Sequence, residues 1–322
     1  MKQMKDMYLI ISIDVEEDMP NWRIEETLTL RNLEGLPRLQ GIFEKYGVRP
    51  TYLLNYAYAS NAGAVKYFKS IQDKCEIGAH MHPWNTPPLS ENEAKINEFP
   101  SNLPRERQFE KIKTVTDELA GAFGSRPTSF RAGRFGFSKE TNDILLQLGY
   151  LVDSSITPMV SWAHLNGPDF QKYPASPFWL NNTGERLLEV PVSIGLNRKI
   201  PPVLEKLYMR IPRITRLRGL MSREYLNIID LIWLYPVLYS EKEMLELVNT
   251  MISKSMNVFN VFFHSNEIRP GESIYTKTAD DLERFYRRLE VYLDFMVNDK
   301  KVKSITLTEY RSLHGGSTEY TV

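Results

Sequence analysis

The stretch that decides the fold is Tyr8-Leu9-Ile10-Ile11-Ser12-Ile13-Asp14-Val15-Glu16-Glu17-Asp18. An apolar run breaks abruptly into carboxylates. A buried strand of a parallel sheet reads as such a run, and polar groups gather where these strands stop, at the catalytic face of an α/β protein. Asp14 and Glu16 are two residues apart, so an extended chain points both side chains to one face. Glu17 points to the other, and the two-residue period selects Glu16 as the partner of Asp14. Two carboxylates held side by side repel unless a cation or an arginine lies between them. A solvated acidic loop is the competing reading of this cluster taken alone.

Outward from this strand the chain alternates strand, loop and helix. Residues 36–46 have helical spacing, with Gly47 closing the helix and Pro50 just beyond. Residues 51–58 read as the next strand and 64–74 as a helix; 76–82 approach a loop as a strand. A long amphipathic helix is expected over 105–123, another over 138–148 closed by Gly149, and a short strand ends at Asp153. Ser240 and Glu243 form a capping-box pair opening a helix over 241–254. Residues 257–263 make a strong strand ending at His264, 278–297 an amphipathic helix, and 304–308 a last short strand. With few hairpin signals, this alternation predicts parallel βα units, that is, an α/β fold. Regularity fails between Trp162 and Leu238, although 187–192 resemble a strand. Basic stretches occur there at Arg198 and Lys199 and again over 210–218. The whole chain, 1–322, is read as a single domain in which 195–238 form an insertion bordering the site.

Composition sets limits on partners. Of 322 residues, 42% are hydrophobic and 25% charged, as in ordinary globular proteins. Lys plus Arg equals Asp plus Glu, so no long-range field draws in nucleic acid or an anionic membrane. The single cysteine, Cys75, excludes an intrachain disulfide and any multi-cysteine zinc site, and reads as a buried inert thiol. No stretch approaches the roughly 20 apolar residues of a membrane span. The apolar run over 8–13 is too short for a secretory signal, so cytoplasmic residence is the expectation.

Three of the five histidines, His80, His82 and His264, stand at strand ends. In a parallel barrel those ends converge on one face, where residues distant in sequence meet. His80-Met81-His82 repeats the spacing of Asp14 and Glu16, and a His-x-His pair with a distant carboxylate suits zinc or a similar divalent ion. Trp84 follows in a proline-stiffened loop, as a wall of a substrate cleft or as core. Arg131 and Arg134 lie in Phe130-Arg131-Ala132-Gly133-Arg134. An arginine at a strand end can orient a carboxylate bidentately. Asp153 is placed to orient a histidine through its ring N–H, and His264 suits a general acid that protonates a leaving nitrogen.

Together these segments resemble the polysaccharide deacetylase (NodB homology, carbohydrate esterase family 4) pattern, in order from Ile10 to Leu313. Ser12-Ile13-Asp14-Val15-Glu16 resembles its first motif and Glu76-Ile77-Gly78-Ala79-His80 the approach to its metal histidines. Phe130-Arg131-Ala132-Gly133 resembles the arginine motif, Asp153-Ser154-Ser155 the fourth, and Phe262-Phe263-His264 the last. The resemblance implies a distorted (β/α) barrel of about seven strands that hydrolyses N-acetyl or O-acetyl groups on a glycan. It implies Asp14 as general base, Glu16 and His80 as ligands of a divalent metal, zinc above others, and Arg131 holding Asp14. Asp153 would tune a histidine, and His264 would be the general acid. Trp84 and Arg134 are assigned to substrate. Three departures stand out. Trp84 occupies the position of the family's second metal histidine, so His82 is read as its substitute. Glu16 replaces an aspartate, and Phe262 a leucine. A second reading keeps the fold but hydrolyses small cyclic or linear amides, without a firmly bound metal. A third is a non-catalytic glycan-binding protein.

Overall fold

The structure is a computed structural model and describes residues 6–21, 28–90, 98–182, 185–201, 203–205, 208, 229–315 and 318–320. The run that opens the chain forms β1 (Tyr8–Val15), with Leu9, Ile10, Ile11 and Ile13 wholly buried. Around it lie α1 (Leu36–Lys45), β2 (Thr51–Leu54), α2 (Ala62–Ser70), β3 (Glu76–Met81), α3 (Arg105–Phe123), β4 (Ser129–Ala132), α4 (Lys139–Gln147) and β5 (Val152–Asp153). The hairpin of β6 (Phe178–Asn182) and β7 (Glu185–Glu189) follows, then a second antiparallel pair, β8 (Ile194–Leu196) and β9 (Leu231–Trp233). The chain closes with α5 (Glu241–Ser253), β10 (Val258–His264), α6 (Ala279–Asp294), β11 (Lys303–Ser304), α7 (Leu307–Leu313) and β12 (Glu319–Tyr320).

Seven strands run parallel in the order β10-β1-β2-β3-β4-β5-β7, the curled sheet of a distorted α/β barrel. Asp14 pairs with His264 in register, and His80 with Arg131, so their strand ends lie at one level. No ladder joins β7 to β10. Asn260 bridges that seam instead. Its side-chain amide donates to Ser154 Oγ (3.0 Å) and to the carbonyls of Val190 and Pro191 (both 3.2 Å), and its Oδ1 accepts from Ser12 Oγ (2.7 Å). Ser193 and Leu234 supply backbone bonds to Asn260 and Phe262, which binds the β8–β9 pair against β10. These bonds pair polar groups that a missing strand would otherwise have met.

Several helix boundaries follow local chemistry. The Ser240–Glu243 capping box opens α5, and Gly47 and Gly149, at φ 64° and 84°, end α1 and α4 as left-handed caps. Two expectations fail. The strand expected over 51–58 stops at Leu54, because Asn55 caps the short helix Tyr56–Ala59, its Oδ1 accepting from Tyr58 N. The strand expected over 304–308 is only Lys303–Ser304, because Thr306 and Glu309 form a capping box that starts α7. Within 195–238, Trp233 at the end of β9 and Tyr235 and Leu238 just after it line the cleft, whereas no residue of β8 does. The basic run over 210–218 lies outside the described residues. Cys75 is buried, and desolvation pushes its thiol up to about 12. Among the described residues no helix is long and apolar enough to cross a membrane.

Asn260→Ala removes the bridge and leaves buried hydroxyl and carbonyl groups unpaired, so it should lower unfolding stability by about 2–4 kcal/mol in urea titrations. A loss under about 0.5 kcal/mol would show that the seam does not depend on this side chain.

Candidate active site

At the C-terminal ends of the parallel strands a cleft of about 370 Å³ opens, with Asp14, Glu16, His80, His82 and His264 on its floor. The acidic run is not a solvated loop: Asp14, Glu16, Glu17 and Asp18 are all at most 4% exposed. Each has its own partners. Asp14 Oδ1 receives Arg131 Nη1 at 2.7 Å, while the same guanidinium donates to Ser12 Oγ, Ser154 Oγ and the Ser154 carbonyl. Glu17 points away from the cleft floor, accepting from Trp84 Nε1 (2.8 Å) and from the side-chain amides of Asn85 and Asn55. Asp18 caps the next turn, accepting from Arg31 N, Asn32 N and Thr29 Oγ1. The two-residue period thus separates the floor of the cleft from the scaffold beneath its wall.

Glu16, His80 and His82 converge on one another. His82 Nε2 lies 2.7 Å and His80 Nε2 3.5 Å from Glu16 Oε2, and the two ring nitrogens are 2.8 Å apart. His80 Nδ1 faces the Arg131 carbonyl at 2.9 Å, an acceptor only, so that nitrogen carries the proton and neutral His80 presents a bare lone pair at Nε2. Burial opposes charge on both rings, but the Asp14 and Glu16 carboxylates raise His80 on balance. His82 is pushed down to about 4 by burial and by His80. Burial raises the Glu16 carboxyl less than its bonds to His80 and His82 lower it, and it ends well below the usual range. Two nitrogens and one oxygen, all buried and within 4.8 Å of one another, form a donor set that a divalent cation satisfies better than protons do. Further support comes from packing. His82 stacks on Trp84 (centroids 4.0 Å), and a Cβ on Gly133 would lie 2.4 Å from His82 Nδ1, so only glycine lets the chain pass there. Asn266 Nδ2 holds the other Glu16 oxygen at 3.1 Å.

Across the floor, His264 Nε2 lies 3.9 Å from Asp14 Oδ2. Its Nδ1 meets Glu267 Oε1 at 3.1 Å, and the Glu267 carboxylate also accepts from His264 N and from the Tyr235 hydroxyl. Burial would depress the imidazole, but the charges of Glu267, Glu16 and Asp14 raise it to about 9. Sequence reasoning missed Glu267, although a Glu three residues after a strand-end histidine is a capping-box spacing. The orienting role expected of Asp153 is not matched by its contacts. Its carboxylate accepts from Ser155 N and Oγ and shares a hydrogen bond with Glu189, outside the cleft lining, and desolvation raises both acids. A strand end fixes depth in the barrel, not which neighbour a side chain meets.

Trp84 and Arg134 line the cleft with Phe135, Trp162, Trp233 and Tyr235, so its walls are chiefly aromatic. Arg134 and Phe135 both adopt left-handed backbone angles, φ 51° and 59°, which are uncommon for residues with a Cβ.

The sequence matches no family profile and no curated protein. The fold is nonetheless shared with known structures. A candidate glycoside hydrolase/deacetylase from Parabacteroides distasonis superposes with a TM-score of 0.63 at 12% identity, over 97% of this chain and 72% of that one. A candidate polysaccharide deacetylase from Mycobacterium smegmatis gives 0.51 at 16% identity, over 95% of both chains. Puue allantoinase gives 0.55 at 12% identity, over 95% of this chain and 89% of its own.

If the convergent set holds a cation, the purified chain binds one equivalent of divalent metal. His82→Ala then weakens binding by more than about a hundredfold, since losing a ligand exceeds the 10–100-fold cost of losing an outer partner. Competition with a chelator measures this, and unchanged affinity removes His82 from the set. Binding should also fall as the medium is acidified, because the imidazoles must be unprotonated at the ligating nitrogen.

Proposed function

We propose that the chain is a metal-assisted amide hydrolase that removes N-acetyl groups from a glycan. The observation carrying this is the opposition of Asp14 and His264 beside the Glu16–His80–His82 set, in one aromatic-walled cleft. A base, an acid and a cation site are what acyl transfer from nitrogen to water requires. Glu16, His80 and His82 would hold the divalent cation, zinc in this reading of two nitrogens and an oxygen, whose Lewis acidity acidifies water and polarises an amide carbonyl.

The chain's own groups divide the remaining work. Arg131 occupies Asp14 Oδ1 and fixes the carboxylate, leaving Oδ2 facing the cleft to take a proton from the attacking water. The water oxygen bonds to the carbonyl carbon, and the C–N bond then breaks. Glu267 engages His264 at Nδ1, so Nε2 is the nitrogen that delivers a proton to the departing amine. Acetate and a free amine leave, and the proton held by Asp14 restores His264 through solvent. Aromatic walls stack on sugar faces and exclude water around these charges. A second reading, hydrolysis of a small cyclic amide, draws on the likeness to the allantoinase and on a cleft volume within the range of small-ligand sites.

Acetate release from chitooligosaccharides should be measurable with the metal-loaded chain and fall about 10²–10⁴-fold in Asp14→Asn. Hydrolysis of allantoin in place of acetate release would favour the second reading. With neither substrate turned over, a binding protein remains. The pH profile supplies a separate check. His264 is held protonated up to about 9, so activity should persist to that pH and decline above it as the acid is lost. Glu267→Gln removes the charge that sustains the raised value, and should move this alkaline limb to lower pH. An unmoved limb would assign it to another group. The same sign governs stability. The His264–Glu267 contact contributes fully below the unfolded histidine value near 6.5, and its contribution is lost as pH rises through about 9.

A further inference from the structure

Among the described residues, the cleft lining contains one arginine, Arg134, and no lysine. It also contains no serine, threonine, asparagine or glutamine. A neutral polyhydroxylated ligand therefore meets aromatic faces but few hydrogen-bonding side chains away from the catalytic floor. Charge is the polar anchor that the walls do provide. Arg134 Nε is buried and has no hydrogen-bond partner. Its Nη1 reaches Glu98 at 3.2 Å, but that carboxylate is 47% exposed, and exposed pairs of this kind hold weakly. The backbone of Arg134 sits at φ 51° and ψ 24°, a conformation that costs free energy for a residue with a Cβ, and the residue lines the cleft. Its guanidinium lies 5.5 Å from the centroid of Trp84, and the Trp84 ring in turn packs on His82. Arg134 is thus one aromatic ring away from the ligand set, in apolar surroundings that strengthen an ion pair.

We infer that Arg134 is an anion-binding subsite and that the substrate carries an oxyanion, a carboxylate or a phosphate, close to the scissile amide. The inference rests on the amide-hydrolase reading of the same cleft and narrows its substrate class. The guanidinium matches either oxyanion with N–H···O bonds from its Nη nitrogens, the end that now reaches Glu98. Glu98 is the competitor that the incoming anion displaces.

Three sugars that share the acetamide separate the possibilities: N-acetylglucosamine (neutral), N-acetylmuramic acid (carboxylate) and N-acetylglucosamine 6-phosphate. Their affinities for the full-length protein can be read by calorimetry, with no need for turnover. At least one anionic sugar should bind about tenfold or more tighter than the neutral one, and which of them does so identifies the oxyanion. Arg134→Gln should bring that ratio close to one, and Arg134→Lys should retain part of it. Glu98→Gln, at an exposed position, should raise the ratio about two- to fivefold by removing the competitor. A ratio near one in the unaltered protein, a ratio that survives Arg134→Gln, or no binding of any of the three overturns the subsite. Acetate release from neutral chitooligosaccharides, measured in parallel on the unaltered protein, reports on the hydrolase reading independently.

Discussion

The buried Arg131–Asp14 pair is the constraint on which the rest of the site depends. Arg131 is wholly buried and Asp14 nearly so. Moving a guanidinium and a carboxylate out of water is tolerated only when each charge finds its opposite and the remaining donors find acceptors. Arg131 meets that condition with Asp14, Ser12 and both polar groups of Ser154, which ties β1 to β4 and to the segment after β5. Its own carbonyl also receives His80, so one residue sets the direction of the Asp14 carboxylate and the tautomer of His80. Breaking a buried pair of this kind costs about 3–5 kcal/mol because the surviving charge is stranded. Stability and chemistry are therefore joined at a single side chain.

The cleft wall is built on different terms from its floor. The floor stands on continuous parallel ladders, which fix strand ends to one another in register. The wall borrows Trp233 and Tyr235 from the region of β9, an element joined to β10 by a few backbone bonds across the seam. Such a wall can change its aromatic surface without disturbing Asp14, His264 or the Glu16–His80–His82 cluster. Tyr235 is the exception. Its hydroxyl donates to Glu267, so the wall reaches the carboxylate that raises His264.

Much of the fold was legible because its signals are local. An apolar run ending in acids marks β1, capping residues mark α5, and a helical period marks α3. The missed elements lack such signals or were misread. β6 and the β8–β9 pair lie in proline- and aromatic-rich sequence with no clean alternation, whereas the strand expected over 187–192 overlaps β7. Ile305, Thr306 and Thr308 are β-branched and suit a strand, but the Thr306–Glu309 capping box starts α7 there. In the site, the two-residue period distinguished Glu16 from Glu17, and the structure places them on opposite sides. The position of Asp153 was legible as a strand end, but its partners were not. β5 is two residues long, and the chain turns at once to Ser155 and Glu189. Glu267 sits on a helical turn, where polarity reads simply as loop.

The alternation of Glu16 and Glu17 has a further consequence for how this chain can vary. Glu16 faces the imidazoles and Glu17 the indole of Trp84, only because the backbone between Asp14 and Asp18 stays extended. Removing or adding one residue there would exchange the two positions at once, sending the Glu16 carboxylate into the scaffold and that of Glu17 into the cleft. The segment can drift by substitution but not by single-residue changes in length. Any pair of side chains grafted onto this strand end to share the cleft inherits the same even-numbered spacing.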